Sequence, residues 1–148
     1  MRLAAFAAVL LVLGASAPAR AVPETAEGFA AAMQGCWNRA TWSTAIEVQR
    51  ADPAYAISSQ MCLDGGVEGA LTVLDCGGVN NLVECSSLEG RYELRDAKFW
   101  RGFDGQRDSC DVLLEPGRQV TLKNCVWIDP PPAVEPIEDA VYERAIGQ

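Results

Sequence analysis

The sequence predicts an all-β domain, namely a small antiparallel barrel of about eight strands, stapled by disulfides and flanked by short N- and C-terminal helices. Apolar and polar residues alternate along short segments, and Gly, Pro, Asn and Asp residues separate these segments. No helical crossover is indicated between the segments, and the six cysteines all lie among or beside them. A sandwich would show the same pattern, but a closed barrel leaves no open sheet edge.

The alternation is clearest where Tyr92 and Leu94 would face one side against Arg91, Glu93 and Arg95. One buried and one wet face is typical of antiparallel sheets. The predicted strands are 36–44, 54–63, 69–76, 82–86, 90–96, 98–103, 110–114 and 119–128.

The N-terminal 21 residues have the layout of a signal peptide. Arg2 precedes an apolar run over 3–13, and Ala19 and Ala21 provide the small residues of a cleavage site. We therefore expect cleavage after Ala21, a secreted or periplasmic location and no retained transmembrane segment, since the apolar run is about half of the ~20 residues that span a bilayer. Residues 22–128 would then form the barrel domain with its N-terminal helix.

Short helices are predicted at both ends of the mature chain. The first covers 23–34, with Pro23 at its start and Gly35 just beyond its end. Residues 129–148 are predicted to be a Pro-rich spacer and a short C-terminal helix, because Ile137, Val141 and Ala145 share one helical face.

The six cysteines are expected to form three disulfides, because the exported compartment is oxidising. Spacing does not fix the pairing of six cysteines, but a local guess pairs Cys36 with Cys62, Cys76 with Cys85 and Cys110 with Cys125. Pro116 and Gly117 give a type II turn signal between the last two. The pairing of Cys110 with Cys125 conflicts with strand alternation, since Cys125 is out of phase with the apolar positions of its own strand.

The charge and the absence of histidine exclude several functions. Once Arg2 and Arg20 leave with the leader, 10 basic and 20 acidic residues remain, so the mature net charge is −10. Such a chain should repel nucleic acid and favour a basic protein partner. The chain contains no histidine, which removes the commonest acid/base and metal-ligating group. We expect no enzyme of the Ser or Cys triad type, no cofactor and no metal.

Paired carboxylates are the remaining route to catalysis, as in glycoside hydrolases. Glu89 and Glu93 flank one strand, and Asp104, Asp108 and Asp111 cluster before and after Cys110. We expect both groups to be solvated surface residues.

The best candidate binding stretch is the aromatic and basic run 98–103. Trp and Arg often carry binding energy at protein interfaces, and this run is one of the few basic patches on an acidic chain. The alternative is that Phe99 and Phe103 belong to the core while Lys98 and Arg101 are solvated and Trp100 is half covered.

The residues Gly35, Cys36 and Trp37 resemble the Gly-x-Trp that opens the first strand of calycin-like barrels, which include lipocalins and secreted bacterial metalloprotease inhibitors. The resemblance implies that Trp37 plugs one end of the barrel, so its substitution should cost stability first and binding second. In that family a later arginine covers the tryptophan, and the sequence does not identify its counterpart here.

A second resemblance covers about 60 residues and is to the periplasmic inhibitors of C-type lysozyme, which are also small antiparallel barrels. The segments that carry it are 62–66, 90–92 and 99–102. Glu89 stands where the family has a serine, and Arg101 does not coincide with its lysine. The resemblance implies that Gly90, Arg91 and Tyr92, with Lys98, Trp100 and Arg101, bind a protein partner.

Three functions are consistent with these observations. The first is a non-enzymatic binding module, most simply an inhibitor or interaction protein acting on a basic hydrolase or another macromolecule. The second is a carrier barrel for a small apolar ligand, and the third is a carboxylate-based glycoside hydrolase. Weaker partner capture after the double change Trp100→Ala with Arg101→Ala would favour the first, and co-purified lipid or a large dry cavity would favour the second.

Overall fold

The computed structural model describes residues 25–80, 82–128 and 136–145, so the predicted signal peptide and the spacer over 129–135 lie outside the described residues. The described chain forms a closed antiparallel barrel in which each strand pairs with the next and β8 returns to β1. The elements are α1 (Ala26–Met33), β1 (Gly35–Arg39), α2 (Ser43–Ala51), β2 (Tyr55–Gly65), β3 (Glu68–Val79), β4 (Leu82–Arg95), β5 (Lys98–Phe103), β6 (Gln106–Glu115), β7 (Gln119–Trp127) and β8 (Ala140–Arg144). The predicted fold class is confirmed.

Two predicted elements are wrong, and two predicted strands, 82–86 and 90–96, form the single strand β4. The C-terminal helix is instead strand β8, because Ala140 and Tyr142 point into the barrel and the segment closes the sheet between β7 and β1. The barrel domain therefore extends beyond residue 128. The first predicted strand ends early, at Arg39, and a helix that the sequence pattern did not reveal, α2, follows.

The N-terminal helix is confirmed, and it covers one end of the barrel. The Thr25 hydroxyl accepts a hydrogen bond from the Gly28 amide at 3.0 Å, which caps the helix start. Ala30 and Met33 are buried against the core. The indole Nε1 of Trp37 donates to the Met33 carbonyl at 2.7 Å, so the helix end and the first strand are tied together.

Trp37 lies at the centre of this closed end and is fully buried. Its neighbours in the core are large apolar side chains from the inner faces of the strands. They include Met61, Leu63, Leu71, Phe99, Leu114, Val120 and Leu122. Packing of this kind leaves that half of the barrel filled, as expected for an eight-stranded barrel of this size.

The tight turns follow the turn chemistry of the sequence. Asp96 and Ala97, with φ of 54° and 58°, connect β4 to β5 in the left-handed conformations that a two-residue hairpin needs. At the Pro116 and Gly117 turn, Gly117 has φ of 70° and the Arg118 amide donates to the Glu115 carbonyl at 3.0 Å. This matches the predicted type II turn.

The three disulfides match the local guess, which spacing alone did not determine: Cys36 with Cys62, Cys76 with Cys85 and Cys110 with Cys125. The first two pairs are direct cross-strand partners in the ladder. The first pair lies on the outer face, since its strand neighbours Trp37 and Met61 are buried in the core. Cys110, by contrast, is fully buried inside the barrel.

A β-bulge resolves the phase difficulty of the third disulfide. Ser109 pairs with Val126 and Asp111 pairs with Lys123, so Cys110 stands opposite two residues of β7, Asn124 and Cys125. Asn124 has φ of 50°, the left-handed conformation that Asn tolerates. The extra residue shifts the side-chain alternation and turns Cys125 toward Cys110.

Candidate functional site: an open cup in the barrel

The half of the barrel opposite Trp37 is not filled and forms an open cup. Its volume is about 410 Å³, which is within the range of small-molecule sites in proteins. The inner faces of β2 to β8 supply the wall, and Trp42 and the segment before β8 supply part of the rim. The apolar lining includes Val73, Leu88, Phe103, Leu122, Ile137 and Tyr142.

Arg101 and Asp108 form an ion pair on the inner surface of this cup. The guanidinium Nε and Nη2 donate to the two carboxylate oxygens at 2.9 and 3.0 Å, which is the two-point geometry that arginine favours. The side chains are only 12% and 7% exposed. The expectation of a solvated Asp108 is therefore wrong, because its buried charge is held by Arg101.

A second arginine lies at the rim of the cup. Arg39 is 3.6 Å from a carboxylate oxygen of Glu138, and its Cζ lies 5.2 Å from the centroid of the Trp42 ring. The Ser43 hydroxyl also donates to Glu138. These contacts join α2 to the segment that leads into β8. The rim thus combines one aromatic ring with one charged pair.

The wall between floor and rim combines a majority of apolar surface with polar side chains such as Ser59, Asp75 and Gln106, and it is partly open to solvent. Leu88 on β4 lines the cup and remains 42% exposed, which fits a wall that opens to solvent. Phe103 and Tyr142 bring aromatic surface to the same space. A small number of polar groups set in such a wall is the usual composition of a ligand pocket.

The six residues that were predicted to bind a protein do not share one surface. Tyr92 is buried and accepts from Gln34 while donating to the Gly66 carbonyl at 2.8 Å, so it joins α1, the β2–β3 turn and β4. Arg101 points into the cup. Gly90 lies under β5, where a Cβ atom would come within 2.3 Å of the Gly102 carbonyl oxygen. These three positions are explained by the structure of the barrel itself.

The other three lie on the outer face. Lys98 donates to Asp111 at 2.7 Å, and Trp100 packs under the guanidinium of Arg95 with 4.6 Å between Cζ and the ring centroid. Arg91 is exposed on the neighbouring strand. Arg91 and Trp100 line a shallow outer groove of about 380 Å³ together with Arg107.

The pKa of the Asp111 carboxyl group is lowered in the folded protein. The hydrogen bond from Lys98 lowers the pKa of Asp111 below its ordinary value of 3.8, and the bond from the Asn124 side chain at 2.9 Å lowers it further. The carboxylate side chain is nearly half exposed. It ties β5 to the bulge of β7 at the outer surface.

Sequence reasoning found Arg101 but assigned it to the wrong environment. The alternation that places Phe99 in the core also places Arg101 and Phe103 on the inner face, so the signal was present. The rim residue Trp42 could not be found in this way, because it belongs to a segment predicted as strand. Among the described residues, no three His, Cys, Asp or Glu side chains come close enough together to hold a metal ion.

The fold and the cup define the class of this chain as an eight-stranded antiparallel barrel with one plugged and one open end. Comparisons with protein-family models, with curated proteins and with solved structures found no match. No helix in the described part of the chain has the length and apolarity required to cross a bilayer.

Proposed function

We propose that this chain is an exported, non-enzymatic ligand-binding barrel that holds a small and largely apolar molecule in its cup. The observation that carries the proposal is the open, apolar-walled cup of about 410 Å³ above a plugged barrel floor. The three disulfides agree with an oxidising compartment.

The composition of the cup favours a ligand with an apolar body and a polar end. Val73, Leu88 and Phe103 offer apolar contact, whose burial contributes about 25 cal/mol per Å². Arg101 lies on the inner surface, and the N–H groups of its guanidinium that do not donate to Asp108 supply further donors. A carboxylate or another acceptor on the inserted end of the ligand would face this guanidinium.

A fluorescence titration with anilinonaphthalene sulfonate, an apolar anion, tests the proposal. We expect saturable binding to the wild type. Val73→Phe adds bulk inside the cup and should weaken binding at least about tenfold. Val126→Phe makes the same change at an exposed outer position, where Val126 is 54% exposed, and should leave binding within about twofold.

Two results would contradict the proposal. One is the absence of saturable binding by the folded wild-type protein. The other is equal weakening by both variants, which would show that the probe does not occupy the cup. Circular dichroism of each variant establishes that the barrel is folded before the titrations are compared.

The outer groove beside Trp100 favours a second candidate, an inhibitor or interaction module for a macromolecule such as a basic hydrolase. Arg91, Trp100 and Arg107 come together there, and aromatic and arginine side chains are the usual centres of protein interfaces. Trp100→Ala is the clean test, because Arg101 belongs to the buried ion pair. If the wild type inhibits a C-type lysozyme and Trp100→Ala does not, this candidate is supported; no inhibition by the wild type removes the lysozyme version.

A glycoside hydrolase remains the third hypothesis. Within the cup, Asp108 and Glu138 each have an arginine partner. Hydrolysis by the wild type that is lost in Asp108→Asn or Glu138→Gln would support an enzyme, whereas an absence of turnover would end the hypothesis.

A further inference from the structure

Strand β4 has 14 residues, and β5 covers only the last five of them. On one side, β4 pairs with β3 from Leu82 to Glu93. On the other side, its pairs with β5 run only from Arg91 to Arg95. In the described chain, residues 82–90 therefore have a ladder partner on one edge and none on the other.

The backbone groups along this edge alternate in direction. The Leu94 amide donates to the Val67 carbonyl at 2.6 Å, on the β3 side. Successive amides of a strand point to opposite edges, so the even-numbered residues face β3 and the odd-numbered residues face away from it. Along the uncovered segment, the outward set is Val83, Cys85, Ser87 and Glu89.

The uncovered segment is exposed and yet held in place. All residues from 82 to 89 are exposed, with Leu82 at 78% and Val83 at 47%. The disulfide between Cys76 and Cys85 fixes the segment to β3. An edge that is already extended and ordered loses less conformational entropy when another strand pairs with it.

The side chains of this edge carry negative charge only. Glu84 and Glu89 lie on opposite faces of the strand, and Asp75 on β3 lies opposite Ser86. Residues 82–90 contain no lysine or arginine. A second copy of this chain would bring two more glutamates and no cation to the edge, whereas a basic segment would place its cations directly opposite them.

We propose that the uncovered edge of β4 binds an extended basic segment of a partner protein, which adds a strand to the sheet in the position that β5 would fill if it continued past Phe103. Backbone hydrogen bonds to the four outward residues provide the pairing, and Glu84 and Glu89 select lysine or arginine at the facing positions. The edge borders the cup at Leu88, but its backbone pairing does not depend on the ligand proposed for the cup.

The test uses the full mature chain and a short synthetic peptide of alternating lysine and valine. Hydrogen exchange by NMR should show fast exchange of the Val83, Cys85, Ser87 and Glu89 amides in the free protein. Saturation with the peptide should slow these four at least about tenfold. A peptide with the same side chains but methylated backbone nitrogens should bind at least about tenfold more weakly, since it cannot donate to the edge.

Matched variants place the site on the edge. Ser87→Pro removes one outward N–H, and proline is tolerated at this side of an edge strand, so it should weaken the lysine and valine peptide at least about tenfold. Ser87→Ala keeps the N–H and should bind as the wild type does. Glu84→Gln with Glu89→Gln should weaken binding and reduce its dependence on salt.

Three outcomes would overturn the proposal. The first is protection of the four amides in the free protein, because another part of the chain or a second copy would then already occupy the edge. The second is that the methylated peptide binds as tightly as the unmethylated one, or that Ser87→Pro binds the peptide as tightly as the wild type does. Either result would indicate charge attraction without an added strand. The third is equal binding of a peptide of alternating glutamate and valine.

Discussion

The guanidinium of Arg144 lies over the indole ring of Trp37, with 4.7 Å between its Cζ atom and the ring centroid. The two residues are direct partners in the β1–β8 ladder. Arg144 also donates to the Gln34 carbonyl, at the end of α1. One side chain therefore joins the closing strand, the first strand and the helix that covers the barrel floor.

Removing this arginine should loosen the plugged end. We expect Arg144→Ala to lower the free energy of unfolding by about 2 kcal/mol, because a cation–π contact and a charged hydrogen bond disappear together. Urea unfolding measures the change. Arg118→Ala is the matched control, since the Arg118 side chain is 83% exposed and should cost less than about 0.5 kcal/mol. Equal costs for the two variants would refute this role of Arg144.

Trp37 should be important for stability rather than for ligand binding. Its ring is fully buried, and truncation of such a ring costs about 3–5 kcal/mol. Trp37→Ala should therefore unfold at much lower urea concentration, while the fraction that stays folded should bind the cup probe with little change in affinity. Trp100→Ala, on the outer face, should cost only about 1 kcal/mol. A Trp37→Ala protein of normal stability that fails to bind the probe would reverse these roles.

Removing one partner of the Arg101–Asp108 pair should destabilise the barrel strongly, whereas replacing both partners with apolar residues should destabilise it much less. Asp108→Ala leaves a buried guanidinium without its partner and should cost about 3–5 kcal/mol. Changing both residues, with Arg101→Met and Asp108→Leu, should recover most of that loss because no buried charge remains. Equilibrium unfolding of the single and double variants measures both effects. A double variant as unstable as Asp108→Ala would contradict the explanation.

The Asp111 carboxylate should make stability depend on acid pH. Its pKa is lowered in the folded state, chiefly by the hydrogen bond from Lys98, so the folded protein holds the ionised form more strongly than the unfolded chain does. The resulting stabilisation is fully present above pH 3.8, the ordinary pKa of the group, and it is lost as the pH falls through the lower pKa of the folded state. Asp111→Asn should therefore be less stable than the wild type at neutral pH, and the difference should shrink below pH 3.8. A difference that stays constant with pH would rule this out.

The sequence predicted the barrel well because most strands have one buried and one wet face. Prediction failed where that condition does not hold. The uncovered part of β4 is exposed on both faces, so alternation is absent over Ser86 and Ser87, and one long strand was predicted as two. The segment of β8 has apolar spacing that fits a helix, but pairing with β1 and β7 decides its conformation.

The candidate site was harder to predict for a related reason. Residue types identified Arg101 and Trp100 as unusual, but only strand parity separates the inward side chain from the outward one. Strand parity fails at Asn124, because the bulge there reverses which residues of β7 face inward. The position of this bulge could not be predicted from composition. The cup itself depends on how α2 and the segment before β8 meet at the rim, which is a contact between distant parts of the chain.

The most direct test of the ligand-binding proposal is to map contacts between a bound amphiphile and methyl groups by NMR. Dodecanoate, which has an apolar chain and one carboxylate, is a suitable probe. The proposal predicts intermolecular contacts to the Val73, Leu88 and Leu122 methyls inside the cup. Contacts confined to outer residues such as Leu113 and Val126, or no bound state at all with dodecanoate or the fluorescent probe, would contradict it.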